Sequence, residues 1–208
     1  MTEQRTEEWF AARLGKVTAS RVADALAKTK TGWGASRANY AAQLICERLT
    51  GVPSEGFQND AMRFGTENEP FARAAYEFHT DNTVELVGFI DHPKIAMSGA
   101  SPDGLVGDDG MLEIKVPNSA THIDTLLSQT IPQKYQFQMA WQMACKPERR
   151  WCDYVSFDPR LPEEMRLFVK RFLRDDVQIK TLETDVEIFL GEIDDTLKQL
   201  RHRYAEAA

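Results

Sequence analysis

The sequence predicts one domain of the α/β (α+β) class, in which a central mixed β-sheet is flanked by helices. Its length of 208 residues is within the usual size of one domain and sufficient for a sizeable core. Hydrophobic residues make up 42% of the chain and charged residues 27%, a composition that excludes disordered, collagen-like and low-complexity proteins. Segments with helical spacing of apolar residues lie on both sides of a central group of short extended runs.

The first part of the chain is predicted to be helical. Residues 7–14 have apolar side chains at helical spacing, and residues 18–28 are predicted to form a second, capped helix. Glycine and small polar residues predict a mobile loop over 29–36, and helices follow over 37–49 and 62–79. The last of these helices is expected to pack on the sheet through one stripe, formed by Phe64, Phe71, Ala75 and Phe78.

The sheet is predicted in the second part of the chain. Extended runs bounded by turn residues are expected at 83–90, 96–98, 103–107, 111–116 and 151–157. The third and fourth runs form a hairpin around a turn at residues 107–110. A helix over 131–144 precedes the last strand. From residue 162 to the end helix is expected throughout, with apolar stripes supplied by Phe168, Phe172, Ile188 and Leu197.

The charge distribution limits the kinds of partner. A net charge of −7 excludes binding of polyanions over the whole surface, because diffuse binding to nucleic acid needs an excess of Lys and Arg. Residues 13–48 nevertheless carry seven basic and two acidic side chains, a local net charge of +5. The sequence therefore predicts that nucleic acid, if bound, is bound at one face.

Location and redox state are also predicted. No apolar run reaches the roughly 18 residues that a membrane-spanning helix needs, and the first residues lack the order of a secretory signal. We therefore expect a cytoplasmic protein with no membrane partner. The three cysteines, Cys46, Cys145 and Cys152, include no C-x-x-C pair and indicate neither a disulfide framework nor a structural zinc site.

The predicted hairpin carries the residues best suited to catalysis. Asp103 and Glu113 lie on its two arms, close to opposite one another, and strand alternation places Lys115 on the same face as Glu113. Two neighbouring carboxylates favour a hard cation, magnesium or manganese. Glu69 on the preceding helix would complete the metal site, and Gln138 on the following helix would orient water or substrate. Phosphodiester hydrolysis needs this combination of carboxylates and an ammonium group.

A non-functional interpretation of the same residues is also open. Asp, Glu and Lys occur on many exposed hairpins, so this pattern alone often arises by chance. The acidic residue in the helix before the hairpin and the glutamine in the helix after it favour a site.

Several segments carry a resemblance to a known family: Trp9 with Arg13-Leu-Gly-Lys-Val-Thr-Ala-Ser20, Phe64-Gly65 followed by Glu67 and Glu69, Ser101-Pro-Asp-Gly-Leu, Leu112-Glu-Ile-Lys-Val-Pro117, Tyr135 with Gln138, and Asp158-Pro-Arg160. In order and spacing they resemble the lambda-phage exonuclease or YqaJ-type viral recombinase nucleases, over roughly residues 7–160. The resemblance implies a restriction-endonuclease-like core in a single nuclease domain. N-terminal helices that bind a DNA end would occupy 1–60, the catalytic core 61–160, and C-terminal helices 161–208.

The resemblance also implies roles for the hairpin residues. Glu69, Asp103 and Glu113, with the carbonyl of Ile114, would bind Mg²⁺, for which Mn²⁺ would substitute. Lys115 would help to activate the attacking water, and Gln138 would complete the site.

A second set of residues is implied to bind the DNA end. Arg13, Ser20 and Ser101 would form a pocket for a terminal 5′-phosphate, because a guanidinium and two hydroxyls can all donate to one phosphate. Met62 is either an apolar wedge that separates the terminal base pair or part of the helix core.

One departure from the family pattern lies in the helix after the hairpin. Relatives often have Gln-x-Gln there, whereas Gln138 is followed by Met139 and Ala140. Gln136 and Gln142 are nearby, which leaves the register of this helix open.

By this resemblance, the protein is expected to degrade one strand of linear double-stranded DNA from the 5′ end, leaving 3′ single-stranded overhangs for recombination. The family implies a ring-shaped homotrimer that works beside a single-strand annealing protein. Two alternatives stay open: a site- or structure-specific endonuclease of the same fold, and a non-catalytic DNA-end-binding module.

Overall fold

The computed structural model describes residues 4–30, 32–54 and 60–205. Its α-helices are α1 (Glu7–Arg13), α2 (Val22–Ala25), α3 (Ala35–Thr50), α4 (Asp60–Thr80), α5 (Ser119–Ser128), α6 (Gln133–Cys145) and α7 (Asp176–Ala205), and two short 3-10 helices span Ala19–Arg21 and Glu163–Met165. Its strands are β1 (Val17–Thr18), β2 (Lys28–Thr29), β3 (Gly32–Trp33), β4 (Val84–Glu85), β5 (Ile90–Asp91), β6 (Ser98–Ala100), β7 (Gly104–Val106), β8 (Gly110–Lys115), β9 (Trp151–Phe157) and β10 (Leu167–Leu173).

A five-stranded mixed sheet forms the centre of the fold, with the strand order β10-β9-β8-β7-β4. β8 and β9 are parallel, and the other pairs are antiparallel. A parallel pair requires a crossover, which α5 and α6 provide. The predicted fold class, a mixed sheet flanked by helices, is therefore confirmed.

Side chains alternate along β8 and are buried on both faces of the sheet. Leu112 and Ile114 pack with Ala72 and Tyr76 of α4, while Met111 packs in the larger core that includes α6. Glu113 points to the α6 face, as the alternation predicts. A carboxylate is thereby placed inside the protein, between a strand and a helix.

A second, three-stranded sheet has the order β1-β6-β5. β1 is parallel to β6, with Val17 paired to Ser98 and Thr18 to Gly99. This pairing brings the segment that follows α1 beside the chain that leads into the hairpin.

The C-terminal region differs from its prediction. Residues 161–208 do not form helices alone, because β10 pairs with β9 along its whole length, from Leu167 opposite Phe157 to Leu173 opposite Trp151. Phe168 and Phe172 therefore lie on a strand. A short 3-10 helix, Glu163–Met165, precedes this strand, and the long α-helix α7 begins only at Asp176. The run Leu-Phe-Val-Lys-Arg-Phe-Leu has the β-branched and aromatic content of a strand, and its pairing with β9 decides the outcome.

The N-terminal half also contains differences. The predicted loop at 29–36 includes part of a hairpin, β2–β3, and the guanidinium of the buried Arg37 lies 3.8 Å from the centre of the Trp33 ring. On α4 the buried residues are Ala72 and Tyr76, whereas Phe71 and Phe78 are 64% and 93% exposed. Helix α4 packs on the sheet as predicted, and Ala75 of the predicted stripe packs against the same core as Ala72 and Tyr76. The stripe was wrong for Phe71 and Phe78, because the sheet contacts a neighbouring line of the same helix.

The run predicted at 83–90 is divided between the two sheets, as β4 and β5. Among the described residues, no helix has both the length and the apolar composition needed to cross a membrane.

Candidate active site

The hairpin β7–β8 brings the two predicted carboxylates together. The Asp103 N–H donates to the carbonyl of Leu112 at 3.1 Å, which extends the ladder by one residue beyond β7. The Ile114 N–H donates to Oδ2 of Asp103 at 2.6 Å. These two backbone bonds hold the Asp103 carboxylate next to the strand that carries Glu113.

Glu113 is the most strongly held side chain of the site and is only 1% exposed. Its Oε1 accepts a hydrogen bond from Nε2 of Gln138 at 2.7 Å and its Oε2 accepts one from Nε2 of Gln142 at 2.5 Å. The ammonium of Lys115 forms an ion pair with the same carboxylate. Both carboxylate oxygens therefore have partners, as a buried charge requires.

These contacts determine the register of α6. Gln138 and Gln142 are four residues apart and share one helix face, whereas Gln136 donates to the carbonyl of Ile131 at 2.7 Å. Gln138 lies where the sequence predicts it. Gln142 was missed as a site residue, although its i+4 spacing from Gln138 was a usable signal.

The electrostatics of the site show an excess of negative charge. Burial and the neighbouring Glu113 raise the pKa of Asp103 well above its ordinary value, and Glu69 adds to this rise, while Lys115 and the Ile114 N–H oppose it. Burial alone would lower the pKa of Lys115, but the charges of Glu113 and Asp103 outweigh it and raise that pKa. Lys115 therefore remains an ammonium, and one ammonium does not balance the carboxylates.

Glu69 approaches the site from α4. Its Oε2 accepts from Nη2 of Arg5 at 2.5 Å. Arg5, Glu69 and Lys115 line one cavity of about 790 Å³, together with Trp9, Phe10 and Met62. Met62 is 52% exposed at this cavity, so its interpretation as helix core was wrong.

In the ranges 4–30, 32–54 and 60–205, no three His, Cys, Asp or Glu side chains form a ready metal-binding group. Glu69 is turned to Arg5, and Glu113 is bonded to two amides and Lys115. The residues nevertheless fit a divalent cation. Carboxylates are the ligands that Mg²⁺ and Mn²⁺ prefer, and the raised pKa of Asp103 marks negative charge that a cation would offset.

Of the three residues predicted to bind a terminal phosphate, the structure brings Arg13 and Ser101 into contact. Ser101 Oγ accepts hydrogen bonds from Nη1 of Arg13 at 3.2 Å and from Nε1 of Trp9 at 2.9 Å, and the Arg13 guanidinium lies 4.0 Å from the centre of the Trp9 ring. Because Ser101 Oγ accepts both bonds, its own hydrogen is left to donate. Ser20 bonds instead with Thr18, at 3.4 Å between the hydroxyl oxygens.

Comparison with known proteins identifies the family of this chain. A family model described as a YqaJ-like viral recombinase domain matches residues 8–147, well over half of the chain. The chain belongs to the YqaJ-like viral recombinase family. Its residues Asp103, Glu113, Lys115 and Gln138 all lie within the matched range.

Solved structures extend the comparison. An alkaline exonuclease from Laribacter hongkongensis, LHK-Exo, is 54% identical, with a TM-score of 0.91, over 98% of this chain and 100% of that one. The same enzyme in complex with dAMP matches with a TM-score of 0.92 at the same identity and coverage. A phage-related exonuclease from Haemophilus somnus 129PT, 14% identical, has a TM-score of 0.72 over 89% of this chain and 96% of that one, and supports the fold alone.

No curated protein matches the chain in sequence. Family membership and the likeness to LHK-Exo make this chain a nuclease that acts on DNA in recombination, with a restriction-endonuclease-like fold. The predicted resemblance is thereby confirmed.

In this YqaJ-family protein, side chains of α3 hold the loop that follows Arg13, a residue of the candidate phosphate pocket. The Gly15 N–H donates to Oε2 of Glu47, and Nε of Arg48 donates to the Gly15 carbonyl, both at 2.8 Å. Gly15 has a φ of +66°, and a Cβ there would lie 2.7 Å from Cγ of Arg48. Two adjacent side chains of α3 therefore hold the loop that follows Arg13. Burial lowers the pKa of Arg13, and the charge on Glu47 opposes this effect.

Replacing Gln142 with alanine is expected to reduce nuclease activity by about 10- to 100-fold. The change removes the donor to Oε2 of Glu113, so this buried carboxylate loses part of its fixed orientation. Activity would be measured on linear duplex over a range of Mg²⁺ concentrations. Gln136→Ala is the matched control, because it removes an amide of the same helix that bonds outside the site. Equal activity of Gln142→Ala and Gln136→Ala at every Mg²⁺ concentration would contradict the role of Gln142.

Proposed function

We propose that this protein is a Mg²⁺-dependent 5′→3′ exonuclease on linear double-stranded DNA, with Mn²⁺ able to replace Mg²⁺. It would leave 3′ single-stranded overhangs for recombination by single-strand annealing. One observation carries the proposal: the group of Asp103, Glu113 and Lys115 lies beside the contact between Ser101 and Arg13. Ser101 precedes Asp103 by only two residues along the chain.

The chemistry follows from what each side chain holds. The bound cation would supply positive charge that screens the phosphodiester and makes water a better nucleophile. Asp103, Glu113, Glu69 and the carbonyl of Ile114 are the groups that would hold it. Gln138 and Gln142 keep the Glu113 carboxylate oriented through its two oxygens.

Lys115 has a separate part in the reaction. Its ammonium, held against Glu113, would orient the attacking water and stabilise negative charge on the scissile phosphate. The raised pKa of Lys115 supports this part, because the group keeps its proton and can act as a donor.

The proposed 5′→3′ polarity depends on the pocket that contains Arg13 and Ser101. A terminal 5′-phosphate accepts from the guanidinium of Arg13 and the hydroxyl of Ser101, and Ser20 is proposed to reach it from the neighbouring segment. Two residues of extended chain span at most about 7 Å, so Ser101 places this phosphate within about one nucleotide of Asp103. Release of single nucleotides is thereby favoured. The structure of the 54% identical LHK-Exo with dAMP supports a site that accepts a mononucleotide.

Exposure of Met62 at the cavity supports a wedge between the terminal bases. Residues 1–60 would then serve mainly to bind the DNA end and residues 61–160 to catalyse. A ring-shaped homotrimer and a single-strand annealing partner, acting in the cytoplasm of a bacterial or phage-infected cell, belong to the same proposal. The physical support for a ring is the +5 charge of residues 13–48, because a ring would repeat this charge in each subunit and concentrate it on one face.

A covalently closed circle tests the exonuclease against the endonuclease alternative. With Mg²⁺, we expect linearised plasmid to be degraded to nucleotides while an equal amount of the intact circle survives. Efficient cutting of the intact circle would overturn the exonuclease proposal. The circle is relaxed beforehand, so that the two substrates share one sequence and differ in the presence of an end.

A further inference from the structure

The short segment before α1 is attached at both sides of Arg5. The side-chain amide of Gln4 donates to the carbonyls of Val87 at 2.9 Å and Pro102 at 2.8 Å. On the other side, the Thr6 hydroxyl accepts from the Trp9 N–H at 3.3 Å and caps α1. Pro102 directly precedes Asp103, so this segment is attached to the catalytic hairpin itself.

Arg5 has an unusual backbone conformation between these attachments, with a φ of +70°. A non-glycine residue in the left-handed region costs free energy, and such residues are concentrated at functional sites. The conformation coincides with an ion pair, because Nη2 of Arg5 lies 2.5 Å from Oε2 of Glu69. The Arg5 side chain is 46% exposed and that of Glu69 20% exposed, so the pair faces the cavity.

Arg5 and a divalent cation would compete for one carboxylate. Glu69 is a proposed cation ligand, and the guanidinium now occupies one of its two oxygens. A guanidinium displaced from Glu69 would still lie in the cavity beside Lys115. Arginine matches phosphate oxygens as well as carboxylate oxygens, so a DNA phosphate in this cavity offers it an equivalent partner.

We propose that Arg5 is a further phosphate-binding residue of this site, which pairs with Glu69 until a divalent cation binds that carboxylate and then contacts a DNA phosphate in the cavity. The inference rests on the proposed function for the identity of its ligand. Arg5 lines this cavity, whereas Arg13 contacts Ser101 at the end of α1, so the two guanidinium groups would bind different phosphates.

The exchange at Glu69 is tested without DNA, by calorimetric titration with Mn²⁺ of the wild type, Arg5→Ala, Glu69→Ala and the double variant. Exposed ion pairs contribute about 0.2–1 kcal/mol. In Arg5→Ala the guanidinium no longer competes with the cation for Glu69, so the dissociation constant for Mn²⁺ should fall by up to about fivefold. In the Glu69→Ala background the same change should have no effect. If Arg5→Ala, with Glu69 intact, bound Mn²⁺ no more tightly than the wild type, the proposed exchange of Arg5 for a cation at Glu69 would be overturned.

The phosphate contact is tested by the salt dependence of binding to 5′-phosphorylated duplex with Ca²⁺ present. Loss of one phosphate contact lowers the slope of log affinity against log salt by about one. Arg5→Ala should show this change and Arg5→Lys should recover most of it. Lys198→Ala is the control, because it removes one positive charge from an exposed ion pair on α7. An Arg5→Ala slope equal to that of wild type would overturn the phosphate contact.

The two proposals fail in different ways. If wild-type protein left linear duplex intact, the proposed function would be overturned, and the Mn²⁺ titration would still decide whether Arg5 competes for Glu69. Wild-type protein could instead degrade linear duplex while Arg5→Ala matches it in Mn²⁺ affinity and in the salt dependence of DNA binding. In that case only the inference on Arg5 would be overturned.

Discussion

Lys115→Ala and Asp103→Asn are expected to lose at least about a hundredfold in nuclease activity while remaining folded and able to bind DNA. Lys115→Ala removes the ammonium that would stabilise the scissile phosphate. Asp103→Asn keeps the size of the side chain and its acceptor for the Ile114 N–H, but removes the negative charge that a cation needs. Activity would be followed by release of nucleotides from labelled linear duplex.

Thermal unfolding of Asp103→Asn separates catalysis from stability. Because burial and Glu113 raise the pKa of Asp103, its ionised form is disfavoured in the cation-free protein. The asparagine removes this repulsion, so without cation the variant should unfold at the same temperature as wild type or higher. Intact recombination with Lys115→Ala and Asp103→Asn would instead favour a non-catalytic DNA-end-binding module. Full nuclease activity of these variants would contradict the proposed catalytic roles of Lys115 and Asp103.

Arg13→Ala is expected to remove most of a preference for 5′-phosphorylated ends. A hydrogen bond to a charged group contributes about 1.5–3 kcal/mol, so the rate on 5′-phosphate duplex at low substrate should fall by about 10- to 100-fold. The rate on 5′-hydroxyl duplex should change little, because the terminal phosphate is absent there. Both rates would be measured on the same sequence under the same Mg²⁺ concentration.

Ser101→Ala and Arg201→Ala complete that experiment. Ser101→Ala should show a smaller loss in the same direction, since a neutral donor contributes less than a guanidinium. Arg201 lies exposed on α7, and its replacement controls for the loss of one positive charge. Equal wild-type rates on 5′-phosphate and 5′-hydroxyl ends would contradict the pocket of Arg13 and Ser101.

The sequence predicted the parts of the site that depend on local periodicity. Strand alternation places Glu113 and Lys115 on one face, and the hairpin turn places Asp103 near Glu113, and the structure has both features. The interval of four residues between Gln138 and Gln142 is equally local, so Gln142 was within reach of the same reasoning.

Contacts between distant segments were beyond such reasoning. Arg5 and Glu69 are 64 residues apart, and neither has a local pattern that indicates the other. The same limit explains β10: its residues fit a strand or the approach to a helix, and pairing with β9 decides between them. On α4, the choice of Ala72 and Tyr76 as the buried line depends on where the sheet lies.

The most direct test of the account is digestion of a linear duplex whose two strands carry different labels, with and without Mg²⁺, by the wild type and Asp103→Asn. We predict that wild-type protein with Mg²⁺ releases mononucleotides from the 5′ end of each strand and leaves 3′ single-stranded overhangs. We predict no release without the cation or with Asp103→Asn. Digestion from the 3′ end, or equal digestion by the Asp103→Asn variant, would contradict the account.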